Sequence, residues 1–126
     1  MVEIGPQVEY WQRGGSEDME GAAHLVQRGN TRHGLFLMHL ALEKILKAHI
    51  CKVSGKSPPR IHNLVRLVET AKLELAEDAR DILADMNEFN LEGRYPLPFI
   101  SPLSRAEADF YMARAKEVFQ WLISRL

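Results

Sequence analysis

The chain has 126 residues, with 46% hydrophobic and 26% charged side chains and a formal net charge of −1. That length allows one domain able to bury roughly two thirds of its unfolded surface, and that composition excludes disordered and fibrous classes. Near-neutral charge gives no support for nucleic-acid binding through a wholly basic surface, and the single cysteine, Cys51, excludes an internal disulfide and fits a reducing compartment.

Taken in chain order, the apolar positions Met19, Ala22, Ala23 and Val26, with Tyr10 or Trp11, predict a first helix over Gln7 to Arg28. Gly14-Gly15 weakens its early turns, and Gly29-Asn30 supplies a turn into a second helix that runs to about Val53. On that second helix Leu35, Met38, Leu42, Ile45, Leu46 and His49 share one side, while Leu37, Leu40, Ala41 and Ala48 cover much of the rest, which predicts a central, buried element. Pro58 and Pro59 break the pattern, and Asn63 can cap a third helix carrying Leu64, Leu67, Val68 and Ala71. A fourth helix is expected from about Glu77 to Asn90, with Ala79, Ile82, Leu83, Met86 and Phe89 inward and Gly93 to Pro98 ending it. Ser104 and Glu107 form a capping box for a fifth helix through Phe110, Val118, Trp121 and Leu122. No segment alternates like a strand. The predicted fold is all-α, an antiparallel up-and-down helical bundle of four long helices plus one shorter helix, as a single domain over residues 1–126.

Three places carry candidate chemistry. His39, Glu43 and Lys47 step along the second helix at i, i+4 spacing as a polar seam, where a carboxylate can orient an imidazole and a lysine can hold an anion, or where Glu43 and Lys47 form an ordinary helical ion pair and His39 a satisfied core contact. His62-Asn63 precedes the N-terminus of the third helix, where backbone amides favour phosphate or carboxylate groups; Asn63 is also read as no more than a cap. Arg94-Tyr95 precedes Pro96, where a guanidinium could fork onto a phosphate and a phenol ring stack on a base. No metal site or cofactor is expected, because only His39 with Glu43 has ligand spacing and no glycine-rich phosphate loop is present. Cys51 reads as a small buried hydrophobe. No apolar run reaches the length of a membrane span, and the opening residues MVEIGPQVEY lack a signal-peptide pattern, so a cytoplasmic location is expected.

The order of these pieces resembles the HEPN domain family, in its small stand-alone form. The resemblance runs through Trp11, Asp18-Met19 and Ala22, then Gly34 to Ala48 with His39, Ala41, Glu43, Lys44 and Lys47. It continues with the Pro-Pro break, His62-Asn63-Leu64, Arg94-Tyr95-Pro96, and finally Ala115, Val118 and Trp121. It implies a helical bundle that commonly pairs as a homodimer. It also implies a partnership with a minimal nucleotidyltransferase in a toxin-antitoxin type of system, or nucleotide binding. Other branches of the family are metal-independent ribonucleases that use an arginine and a histidine with four to six residues between them. That spacing falls here at Arg28 to His33 and Arg32 to His39, in the wrong part of the bundle, and Asn63 stands where the family carries an aspartate.

The leading expectation is a nucleotide- or RNA-phosphate-binding domain with His62, Arg94, Tyr95 and Lys47 at the ligand and His39, Glu43 and Asn63 in support. The alternatives are a ribonuclease with His62 or His39 as base and Arg94 or Arg32 on the phosphate, and a dimeric structural adaptor without a ligand.

Overall fold

The computed structural model describes residues 3–94 and 103–126, the side chains of 91–94 excepted. It contains five helices, α1 Ile4–Gln27, α2 Thr31–Ser54, α3 Leu64–Thr70, α4 Glu77–Arg94 and α5 Arg105–Ser124, and no strand among the described residues.

Helix α1 starts three residues earlier than its apolar pattern suggests. Pro6 lies in the first turn, where backbone N–H groups have no helical acceptor, so its missing donor costs little. Helix α1 turns into α2 through Gly29 at φ 90°, and α2 stops at Gly55 in the left-handed region at φ 70°. Asn63 caps α3 by accepting from the Arg66 amide, and Ser104 with Glu107 forms the full capping box at α5. Helix α4 runs on to Arg94, past the expected end at Asn90. Proline restricts only the residue before it, so Pro96 does not reach back to Gly93, and one helical glycine costs no more than about 1 kcal/mol.

Helices α1 and α2 form an antiparallel hairpin with unusually close backbones. A Cβ on Gly15 would lie 3.1 Å from the Ala41 carbonyl oxygen, and one on Gly34 would lie 2.5 Å from Val26 Cγ2 and 3.2 Å from the Ala22 carbonyl oxygen. Gly14-Gly15 therefore costs helix propensity and gains contact, and Gly15 is buried. Beside it, Lys44 Nζ pairs with Asp18 at 2.7 Å. The other helices close around α2, which contacts α1, α3, α4 and α5. Leu35, Met38, Leu42, Ile45 and Leu46 are fully buried there, each contributing about 1.5–3 kcal/mol of apolar transfer. Helix α3 brings Leu64, Leu67 and Val68, α4 brings Ile82, Leu83, Met86 and Phe89, and α5 brings Ala115, Val118, Phe119 and Leu122. His49 reaches from α2 to the Leu122 carbonyl at 2.7 Å, tying α5 to the centre, and burial holds its ring below the usual imidazole range. Cys51 is fully buried and burial pushes its thiol up. Phe110, expected in the apolar stripe of α5, is half exposed.

No helix among the described residues is long and apolar enough to cross a membrane.

Candidate functional site

Glu43 is the centre of the polar cluster. It is 6% exposed on a helix whose neighbouring positions are apolar, so its carboxylate needs partners inside the protein. Oε2 accepts from Lys47 Nζ at 3.1 Å, one helical turn on, and Oε1 lies 3.0 Å from Nδ1 of His62, nineteen residues away on the chain entering α3. Lys47 is itself 6% exposed, and its ammonium lies 5.5 Å from the centre of the Trp11 ring on α1. That ring supplies a second, weaker electrostatic partner.

The imidazole oriented by Glu43 is that of His62. An ionised carboxylate only accepts, so Nδ1 of His62 carries the hydrogen, and in the neutral ring Nε2 remains an acceptor. The side chain is 51% exposed, and Nε2 has no hydrogen-bond partner among the described residues. His39, expected in that role, lies with Nδ1 3.9 Å from the same oxygen, beyond hydrogen-bonding reach. It is fully buried, and neither ring nitrogen has a hydrogen-bond partner among the described residues. Burial lowers its pKa to about 4, against the opposing pull of Glu43, while the Asn87 side chain and the His62 backbone lie beside the ring without completing a hydrogen bond. His39 is therefore a neutral packing group at pH 7.

The loop before α3 is locked by a residue that the sequence pattern did not single out. Asn87 of α4 accepts from the Leu64 amide at 2.8 Å and donates to Asn63 Oδ1 at 3.2 Å. Asn63 Oδ1 also accepts from the Arg66 amide at 3.2 Å. Two of the amides expected to favour an anion at this helix start are thus already occupied by side-chain oxygens. A polar residue one turn beyond Leu83 and beside Met86, on the inward face of an amphipathic helix, is the signal that could have found Asn87.

The sequence-predicted residues divide accordingly. His62, Glu43 and Lys47 come together, with Trp11 joining them and Asn63 holding the turn behind His62. The Arg94 side chain and Tyr95 lie outside the described residues. Among the described residues, no group of three or more histidine, cysteine or carboxylate side chains is placed to hold a metal ion.

The arrangement offers an acid-base group fixed in tautomer and direction, open to solvent on one nitrogen and backed by a buried carboxylate and ammonium.

Among curated proteins none matches the chain. Crystal structures that share its fold include TT1696 and ST0689. TT1696 from Thermus thermophilus superposes with a TM-score of 0.79 at 17% identity, over 95% of this chain and 98% of that one. ST0689, described as an archaeal HEPN homologue, gives 0.73 at 20% identity, over 94% and 96%. The sequence pattern of the HEPN domain matches residues 8–126, nearly the whole helical bundle. The chain belongs to the HEPN domain family.

Proposed function

We propose that this HEPN domain binds the phosphate of a nucleotide or RNA at His62, with Arg94 and Tyr95 as further ligand contacts. Glu43 and Lys47 form the supporting wall behind it. The observation that carries this reading is the contact of buried Glu43 with Nδ1 of half-exposed His62, at 3.0 Å. A carboxylate so placed fixes the ring and so sets the direction in which Nε2 meets the ligand. Lys47, at 7% side-chain exposure, is engaged by Glu43 and acts through the field of the site. The homodimer, the minimal nucleotidyltransferase partner and the toxin-antitoxin setting follow from the resemblance to small stand-alone HEPN proteins and belong to the same reading.

Isothermal calorimetry with ATP and with a short single-stranded RNA tests it. Loss of one charge-assisted contact weakens binding by roughly tenfold, so His62→Ala and Arg94→Ala should each do so while retaining wild-type helicity. Unchanged binding in both variants refutes the assignment.

The same contact favours a second reading, a metal-independent ribonuclease in which Nε2 of His62 takes the 2′-hydroxyl proton and Arg94 stabilises charge on the phosphate. His39, fully buried, cannot reach a substrate in this conformation. The check is cleavage of a labelled RNA in excess chelator, compared with His62→Ala; an intact RNA rejects it.

A further inference from the structure

A groove of about 630 Å³ opens between α4 and α5, and two of its lining residues, Ile82 and Val118, also belong to the core. Its floor is apolar, formed by Ala79 and Ile82 of α4 with Val118 and Trp121 of α5, and Phe110, 50% exposed, stands at its edge. Its rim is acidic. Asp78, Asp81 and Asp85 follow one another along α4 at i+3 and i+4 spacing, and Glu117 faces them from α5.

This stripe is a placement and not a consequence of composition, because the chain carries 17 acidic and 16 basic side chains in all. Asp78 lies in the first turn of α4, where a negative charge suits the helix dipole, and it accepts from the Ala79 amide at 2.9 Å. Asp81 and Asp85 lie beyond that turn, where the dipole no longer accounts for them. Neither is paired with a basic side chain among the described residues; Asp85 has only the Tyr111 hydroxyl, at 3.5 Å. The nearest α4 cation, Arg80, turns away to Glu69. Among the described residues Arg114 is the one basic side chain lining the groove, and it rests over Phe110 at 5.7 Å and within 3.8 Å of Glu117. Successive like charges on one helix face repel, so the stripe costs stability within the chain and gains only against something basic.

A second copy of the chain is a poor occupant. Two-fold pairing through this groove would set the row Asp78, Asp81, Asp85 against the same row or against Glu117, like charge on like charge. The row spans about 10 Å, two helical turns, which is the footprint of apolar anchors at i, i+3 or i+4 and i+7 on a docked helix. We propose that the α4–α5 groove is a docking site for an amphipathic helix of another protein. Its apolar stripe lies on Ile82, Val118 and Trp121, and its flanking lysines or arginines meet Asp78, Asp81 and Asp85.

The test uses a labelled synthetic helical peptide with leucines at i, i+3, i+4 and i+7 and lysines on both flanks. Two controls accompany it, the same residues in scrambled order and a version with glutamate for lysine. Fluorescence anisotropy with the whole protein should show the patterned peptide bound at least tenfold more tightly than either control. Asp81→Lys, at an exposed and unpaired position, should weaken it by about tenfold, since reversal removes one attraction and adds one repulsion. Phe110→Ala should weaken it as well, and both variants should keep wild-type helicity and nucleotide binding. Equal binding of the scrambled peptide, or an affinity indifferent to Asp81→Lys, overturns the proposal. So does sedimentation showing that Asp81→Lys dissociates a dimer of this chain, which would assign the groove to a second copy.

Discussion

Removing the Glu43 carboxylate tests whether the polar cluster is sealed in the protein or hydrated. In Glu43→Ala the Lys47 ammonium stays where it is, with 7% of its side chain exposed, and loses the oxygen at 3.1 Å. His62 loses the oxygen at 3.0 Å, but its ring is half in solvent and finds water. Breaking a buried pair on one side costs about 3–5 kcal/mol, against less than about 1 for an exposed pair. The Trp11 ring, 5.5 Å from the ammonium, offsets about 1–2 kcal/mol of this by cation–π attraction. The expected net loss is therefore about 3 kcal/mol. For a chain of this length an unfolding entropy near 2.1 cal/mol/K per residue converts that to a fall of about 11 °C in Tm. Circular dichroism melts and urea titrations measure both quantities. Glu43→Met combined with Lys47→Met should recover most of the loss, because apolar replacement of both partners leaves no orphan charge. A single-variant loss below about 1 kcal/mol, or a double variant as unstable as the single, refutes a sealed pair.

Stability should also fall on acidification below neutrality. The unfolded chain binds protons at His39 and His49 below about pH 6.5, while burial disfavours the charged ring at both in the native state and lowers the His39 pKa to about 4. Each lowered histidine then costs up to about 1.4 kcal/mol per pH unit, and His39 alone costs about 3 kcal/mol between pH 6.5 and 4. Urea midpoints measured from pH 7.5 to 4.5 should decline, less steeply in His39→Leu; a flat profile contradicts the burial of a neutral ring. Gly34→Ala should destabilise by about 1–3 kcal/mol despite the better helix propensity of alanine, because its Cβ would meet the Val26 backbone nitrogen at 3.0 Å as well as that side chain. Val26→Ala in the same protein should relieve only the side-chain part, and an unchanged Tm for Gly34→Ala would mean the helices separate freely.

The bundle and the buried nature of α2 were legible because periodicity and caps act locally: Leu35 through Leu46, the Asn63 cap and the Ser104–Glu107 box all stand as the pattern implies. The i, i+4 seam also made the Glu43–Lys47 contact readable. Which imidazole Glu43 would orient was not, since His39 has the right helical spacing and His62 reaches it only because the chain after Gly55 folds back. Spacing on a wheel gives proximity and says little about the direction of a ring. Trp11 over Lys47 and Asn87 against Asn63 escaped notice for the same reason, each joining elements far apart in sequence. Helix α4 runs past Asn90 to Arg94, inside the Gly93 to Pro98 segment expected to end it, because one helical glycine costs little and Pro96 restricts only the residue before it.

The clasp of Asn87 on the start of α3 also ties this region to the bundle. A helix of seven residues is well below the roughly 12–15 needed to persist alone in water. Its first amide finds an acceptor on α4, and among the described helices it packs against α2 and α4. The stretch from His62 to Thr70 therefore depends on the docked bundle for its conformation. His62 shares that dependence, so the imidazole takes its position from cooperative assembly of three helices, and any event that loosens α4 disarms it without touching its chemistry.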